Sequence, residues 1–148
     1  MTTAAVTLHD ENTPSSNKRV YEAKRNGLDI DIFAGWHSKT LMRNKAFKLF
    51  YLVINFFLRS YQVLYIVLSN EYETVLIHKK FYQIPFVLKG YTSLLARSHN
   101  IIFDLDDAIF LHWWDYGVTE WMMRNADLVT VGSEFLYEKA SEYNEEVR

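Results

Sequence analysis

Residues 100–110, NIIFDLDDAIF, decide how this chain is read. Apolar Ile101, Ile102 and Phe103 run straight into Asp104, Asp106 and Asp107, and the chain then turns apolar again. A hydrophobic interior does not tolerate such a carboxylate cluster, so the run reads as a buried strand that emerges into a cleft, with the acids where it emerges.

Working outward, similar short apolar runs recur with helical patterns between them. That alternation predicts βαβ units and an α/β, Rossmann-like three-layer domain with a mostly parallel sheet. The expected strands are TAAVTL, LDIDIFA, TVLIH, IIFDL and DLVTV, the first being the weakest because it is terminal and built of small residues. Helices are expected over Asn17–Asn26, Lys45–Ser69, Gln83–Arg97, Val118–Asn125 and Ser133–Glu146. In the last, Ser133 suits an N-cap, and Leu136, Ala140, Tyr143 and Val147 fall on one helical face. Gly27 and Gly90 suit helix ends or turns, and Pro85 suits a first turn. No internal repeat or linker interrupts the pattern, so residues 1–148 are expected to form a single domain.

Composition agrees with that scale. A chain of 148 residues, 49% hydrophobic and 23% charged, has the make-up of one globular unit. It holds no cysteine, which rules out disulfides and Cys-ligated zinc, and the expected setting is cytoplasmic. The first residues have neither a basic start nor a long apolar core, so a secretory signal is not expected. The net charge of −2 conceals an asymmetry. No acidic residue lies between Phe33 and Asn70, where Lys39, Arg43, Lys45, Lys48 and Arg59 are basic, whereas the chain from Asp104 onward is predominantly acidic. Nucleic acid is not an expected partner, given the net acidity and the lack of a binding motif.

The segment FKLFYLVINFFLRSYQVLYIVL is about as long as a bilayer-spanning helix, which needs roughly 20 apolar residues. Lys48, Asn55, Arg59 and Gln62 recur at helical spacing and form one narrow polar stripe. A wide apolar face remains, expected to pack on the sheet or to dock on a membrane surface, with the basic residues before it suited to anionic headgroups.

FDLDD resembles the nucleophile motif of the haloacid dehalogenase superfamily, in which an Asp at a strand end attacks phosphorus and a second Asp two places on acts as acid and base near Mg²⁺. Asp104 and Asp106 would take those roles. The remaining groups of that chemistry fall on a single predicted helix, Ser133 to Glu146, which cannot bring them all to one strand end.

More of the chain is similar to the N-terminal half of GT-B glycosyltransferases of the group 1, family 4 type. ADLVTVGSEFLYEKASEYNEEV resembles the strand, turn and helix that precede the crossing into the second domain, and NIIFDLDDAIF the DxDD strand before it. PSSNKRVYEAKRNGLDIDIF resembles the region after the first strand, and ETVLIHKKF the middle strand of that domain. The resemblance implies transfer of a sugar from a nucleotide-sugar donor to a glycan or lipid-linked acceptor hydroxyl, in cell-surface glycan synthesis. The donor would be held mostly by a C-terminal domain or partner chain, with no metal and no cofactor. Asp106 and Asp107 would be the catalytic acids, and Asp104, His112 and Trp113 would bind the acceptor. Ser15, Ser16, Arg19, Lys79 and Lys80 would meet the donor phosphates. Read without the resemblance, the same residues serve equally as turn caps, solvated surface and aromatic packing. The remaining reading is a membrane-associated, non-catalytic subunit that completes another chain.

Overall fold

The computed structural model describes residues 2–7, 18–35, 45–78, 84–106, 108, 111 and 117–148, with the side chains of 18, 19, 45 and 46 outside that description. Strands β1 (Thr2–Thr7), β2 (Ile30–Ala34), β3 (Tyr72–His78), β4 (Asn100–Leu105) and β5 (Leu128–Val131) form one sheet in the order β2-β1-β3-β4-β5. Every pairing in it is parallel. The helices between them are α1 (Lys18–Arg25), α2 (Lys45–Leu68), α3 (Pro85–Leu95), α4 (Val118–Asn125) and α5 (Glu134–Ser141). The architecture is the expected Rossmann-like α/β domain.

Strand alternation divides the core between two faces. Ala4, Val6, Val75, Ile77, Phe103 and Val129 point to one side, where Val63 and Ile66 of α2 and residues of α3, α4 and α5 join them in the main core. Ala5, Ile30 and Ile32 point to the other, against Val20 and Ala23 of α1. The strand with the weakest sequence signal, β1, is paired on both sides, by β2 and β3. Its small residues explain the position: Ala4 and Ala5 are completely buried, one under each helical layer.

Three details depart from the sequence expectations. The last helix ends at Ser141, not Glu146, because Asn144 turns the chain. Its amide donates to the carbonyls of Met123 and Ala126, both at 2.7 Å, and its Oδ1 accepts from Glu146 N–H. Val147 consequently leaves the helical face and pairs in parallel with Val129 at the outer edge of β5. Gly90 lies inside α3 and ends nothing. A methyl group there would meet only open space, so the helix runs through it without a steric need for glycine.

The third departure is α2. Three of the four residues of its polar stripe face inward: Asn55 is 7% exposed, Arg59 only 1% and Gln62 half-buried, while Lys48 is exposed. Arg59 Nη1 donates to Phe33 O at 3.0 Å and to Gln62 Oε1 at 2.8 Å, and Nη2 donates to Thr7 O. Gln62 Nε2 donates to Ala34 O at 3.0 Å. Carbonyls at the carboxyl ends of β1 and β2 thus find donors on the helix that crosses over them, as buried backbone acceptors require. Much of the apolar surface of α2 is left outside.

Candidate functional site

In a parallel sheet, residues in register project to the same face, so one row can assemble a site from distant parts of the chain. Thr7 is in register with His78, His78 with Asp104, and Asp104 with Thr130. This row is at or next to the carboxyl ends of β1, β3, β4 and β5, the end where open α/β sheets bind ligands. The point at which strand order reverses, between β1 and β3, falls within it.

Side chains complete what the register begins. His78 Nδ1 lies 2.6 Å from Asp104 Oδ2, and Thr130 Oγ1 donates to Asp104 Oδ1 at 2.9 Å. His78 and Asp104 are both buried. With Asp104 ionised, the neutral imidazole carries its proton on Nδ1, and Nε2 presents a lone pair. That nitrogen is buried and makes no hydrogen bond among the described residues. The carboxylate of Asp106 approaches it, Oδ2 to Nε2 being 3.9 Å. Asp104 and Asp106 therefore address the two nitrogens of one ring, in keeping with their shared strand parity. The arrangement can orient an imidazole, accept a proton at Nε2, and stabilise the imidazolium through carboxylates on either side.

A buried cation flanks the row. Arg59 holds the strand ends beside Thr7, and burial lowers its guanidinium to about 10, so it remains charged at neutral pH.

Of the residues singled out from sequence, the structure brings Asp104 and Asp106 to this site. Asp104 has both oxygens engaged, by His78 and Thr130, which makes it a positioning group for the ring. Asp107, His112, Trp113, Ser15, Ser16, Lys79 and Lys80 lie outside the described residues, as does the side chain of Arg19, whose backbone belongs to α1. Sequence reasoning missed His78 and Thr130. The available signal was the ending of TVLIH, a histidine closing a buried strand where its neighbour strand closes on an aspartate.

An open groove of about 520 Å³ lies at the opposite, amino end of the sheet, lined by Tyr72, Glu73, Arg97, His99 and Asp127 among others. Its polar groups serve the fold: Asp127 accepts from Ile101 N–H at 2.7 Å, and His99 contacts Leu95 O and Ser98. The candidate site is therefore the carboxyl end of the sheet and not this groove. Neither a protein-family model, nor a curated protein, nor a solved structure matches the chain.

Proposed function

We propose that this domain is the acceptor-side half of a GT-B-type glycosyltransferase, with His78 taking the proton of the acceptor hydroxyl. The observation that carries the reading is the hydrogen-bonded row His78–Asp104–Thr130 at the carboxyl ends of three adjacent parallel strands, with Asp106 beside Nε2. In the transfer, the acceptor oxygen bonds to the anomeric carbon as the bond from that carbon to the nucleotide phosphate breaks. The hydroxyl proton passes to Nε2, and the nucleoside diphosphate leaves. Asp104 and Thr130 keep the ring in the productive tautomer, and Asp106 accepts a hydrogen bond from the acceptor or stabilises the charged ring. The nucleotide sugar is bound mainly by a second domain or a partner chain.

Phosphoryl transfer through Asp104 fits less well. A nucleophilic carboxylate needs an oxygen free to attack, whereas those of Asp104 are held by His78 and Thr130 inside the sheet edge.

The test follows the imidazole ¹⁵N resonances of the chain during titration with a panel of oligosaccharides, and sugar transfer from labelled nucleotide sugars once a nucleotide-binding partner is supplied. Acceptor binding is expected to shift Nε2 of His78, and transfer is expected to fall about 10²–10⁴-fold in His78→Asn. Mg²⁺-dependent phosphate release by this chain, abolished in Asp104→Asn, would overturn the reading in favour of phosphoryl transfer.

A further inference from the structure

Helix α2 is built inside out relative to an ordinary surface helix. Tyr51, Asn55, Arg59, Val63 and Ile66 form its buried stripe, and three of these carry polar groups. On its other faces Phe50 is 57% exposed, Phe57 66%, Tyr61 68% and Leu68 78%. Phe86, at the start of the adjacent α3, extends the surface at 85% exposure, and the two helices are tied by the bond between Ser60 Oγ and Tyr91 Oη at 2.7 Å. Scattered exposed apolar residues are ordinary, but a face that recurs from Phe47 to Leu68 marks an interaction surface.

Charge indicates what covers it. The sequence from Ala34 to Asn70 contains no carboxylate; Lys48 is exposed in the first turn of α2, and Lys39, Arg43 and Lys45 precede it in the sequence. Aromatic and aliphatic side chains preceded by lysine and arginine, with the carboxylate of Glu71 meeting Tyr65 Oη at 3.3 Å at the far end of the helix, match an anionic lipid interface. Tyrosines at positions 61 and 65 suit the same boundary, having an apolar body and a polar tip.

We infer that α2 docks this domain flat on an anionic bilayer surface. The residues Phe47–Leu68 are long and apolar enough to span a membrane, yet the anchors exclude that role. Arg59 and Gln62 bond the carbonyls of Thr7, Phe33 and Ala34, so a spanning helix would strip donors from two strand ends. Because Arg59 grips the carboxyl ends of β1 and β2, the basic start of the helix lies toward the edge that carries His78 and Asp104. Docking stands independently of sugar transfer, and its test measures binding alone.

The experiment is co-sedimentation of the intact chain with vesicles of equimolar phosphatidylglycerol and phosphatidylcholine, compared with phosphatidylcholine alone. The chain is expected to pellet with the anionic vesicles and to be released by high salt. Lys48→Gln should weaken binding about fivefold, the loss for one basic charge at the surface. Phe57→Glu should weaken it at least about tenfold. Both side chains are exposed, and circular dichroism is to check that each variant remains folded. Equal binding to both compositions, no binding to either, or retention that survives high salt overturns the proposal. A concentration-dependent dimer that Phe57→Glu abolishes, in a chain that ignores vesicles, assigns the face to a second copy and also overturns it.

Discussion

Two buried polar clusters stand side by side at the carboxyl edge of the sheet, and they are finished to different degrees. On β1 and β2, the guanidinium of Arg59 donates to Thr7 O, Phe33 O and Gln62 Oε1, and Gln62 donates onward to Ala34 O. On β3, β4 and β5, Asp104 is filled by His78 and Thr130, but Nε2 of His78 is buried without a hydrogen bond among the described residues. The first cluster closes strand ends and satisfies carbonyls. The second leaves one buried polar atom without a hydrogen bond among the described residues, which makes it a candidate contact for a ligand. A closed network should respond to mutation chiefly in stability, and an open one chiefly in function.

The largest effect is expected from Arg59→Ala, which takes the guanidinium donors from the carbonyls of Thr7 and Phe33 and removes a side chain only 1% exposed. A loss of about 3 kcal/mol is expected, seen as a melting midpoint lower by roughly 10 °C. A change near zero would mean that the cluster does not hold the edge together. Next is Asp104→Ala, which leaves His78 Nδ1 and Thr130 Oγ1 without their shared acceptor and should cost about 2 kcal/mol in denaturant unfolding. It should also release the ring tautomer, visible in the imidazole ¹⁵N shifts.

A smaller effect tests a polar contact outside both clusters. Tyr72 donates to Asp31 Oδ2 at 3.1 Å, and burial followed by that bond raises its phenol well above the usual value. A raised folded-state pKa means that the contribution is complete below the unfolded value of about 10 and is lost as pH rises above it. Tyr72→Phe should therefore cost about 1 kcal/mol at neutral pH and narrow the gap to the wild type under alkaline conditions, measured by urea titration at several pH values. Loss of the same size at every pH would place the Tyr72 effect in packing.

How far the sequence foretold these features depends on whether their causes are local. Apolar runs ending in turn residues marked all five strands, and Ser133 capped its helix as expected, its Oγ accepting from Leu136 N–H at 3.3 Å. The centrality of β1 was hidden because Ala4 and Ala5 carry a weak strand signal of their own and are explained only by the layers that close over them. The orientation of α2 was hidden for a similar reason. The stripe Asn55, Arg59 and Gln62 is legible, but its inward direction depends on carbonyls at strand ends 26 and more residues away, which accept from Arg59 and Gln62. Asp104 and Asp106 announced themselves as carboxylates ending an apolar strand. His78 did not, because it meets Asp104 across 26 residues and Asp104 meets Thr130 across another 26, a register no local periodicity encodes.

The smallest stability change is expected where the functional change is greatest, in His78→Asn. An asparagine amide can keep a donor near the position of Nδ1 and so retain the bond to Asp104, while the Nε2 position is deleted. Since Nε2 makes no hydrogen bond among the described residues, its removal forfeits no such contact with them, and the lost ring volume should cost no more than about 1 kcal/mol. Denaturant unfolding of this variant beside Arg59→Ala measures the contrast between the clusters directly. A loss matching that of Arg59→Ala would show that the imidazole is another structural tie, and the row on β3, β4 and β5 would then be as closed as its neighbour. A near-native midpoint, with sugar transfer lost, would show a histidine that the fold positions and does not need.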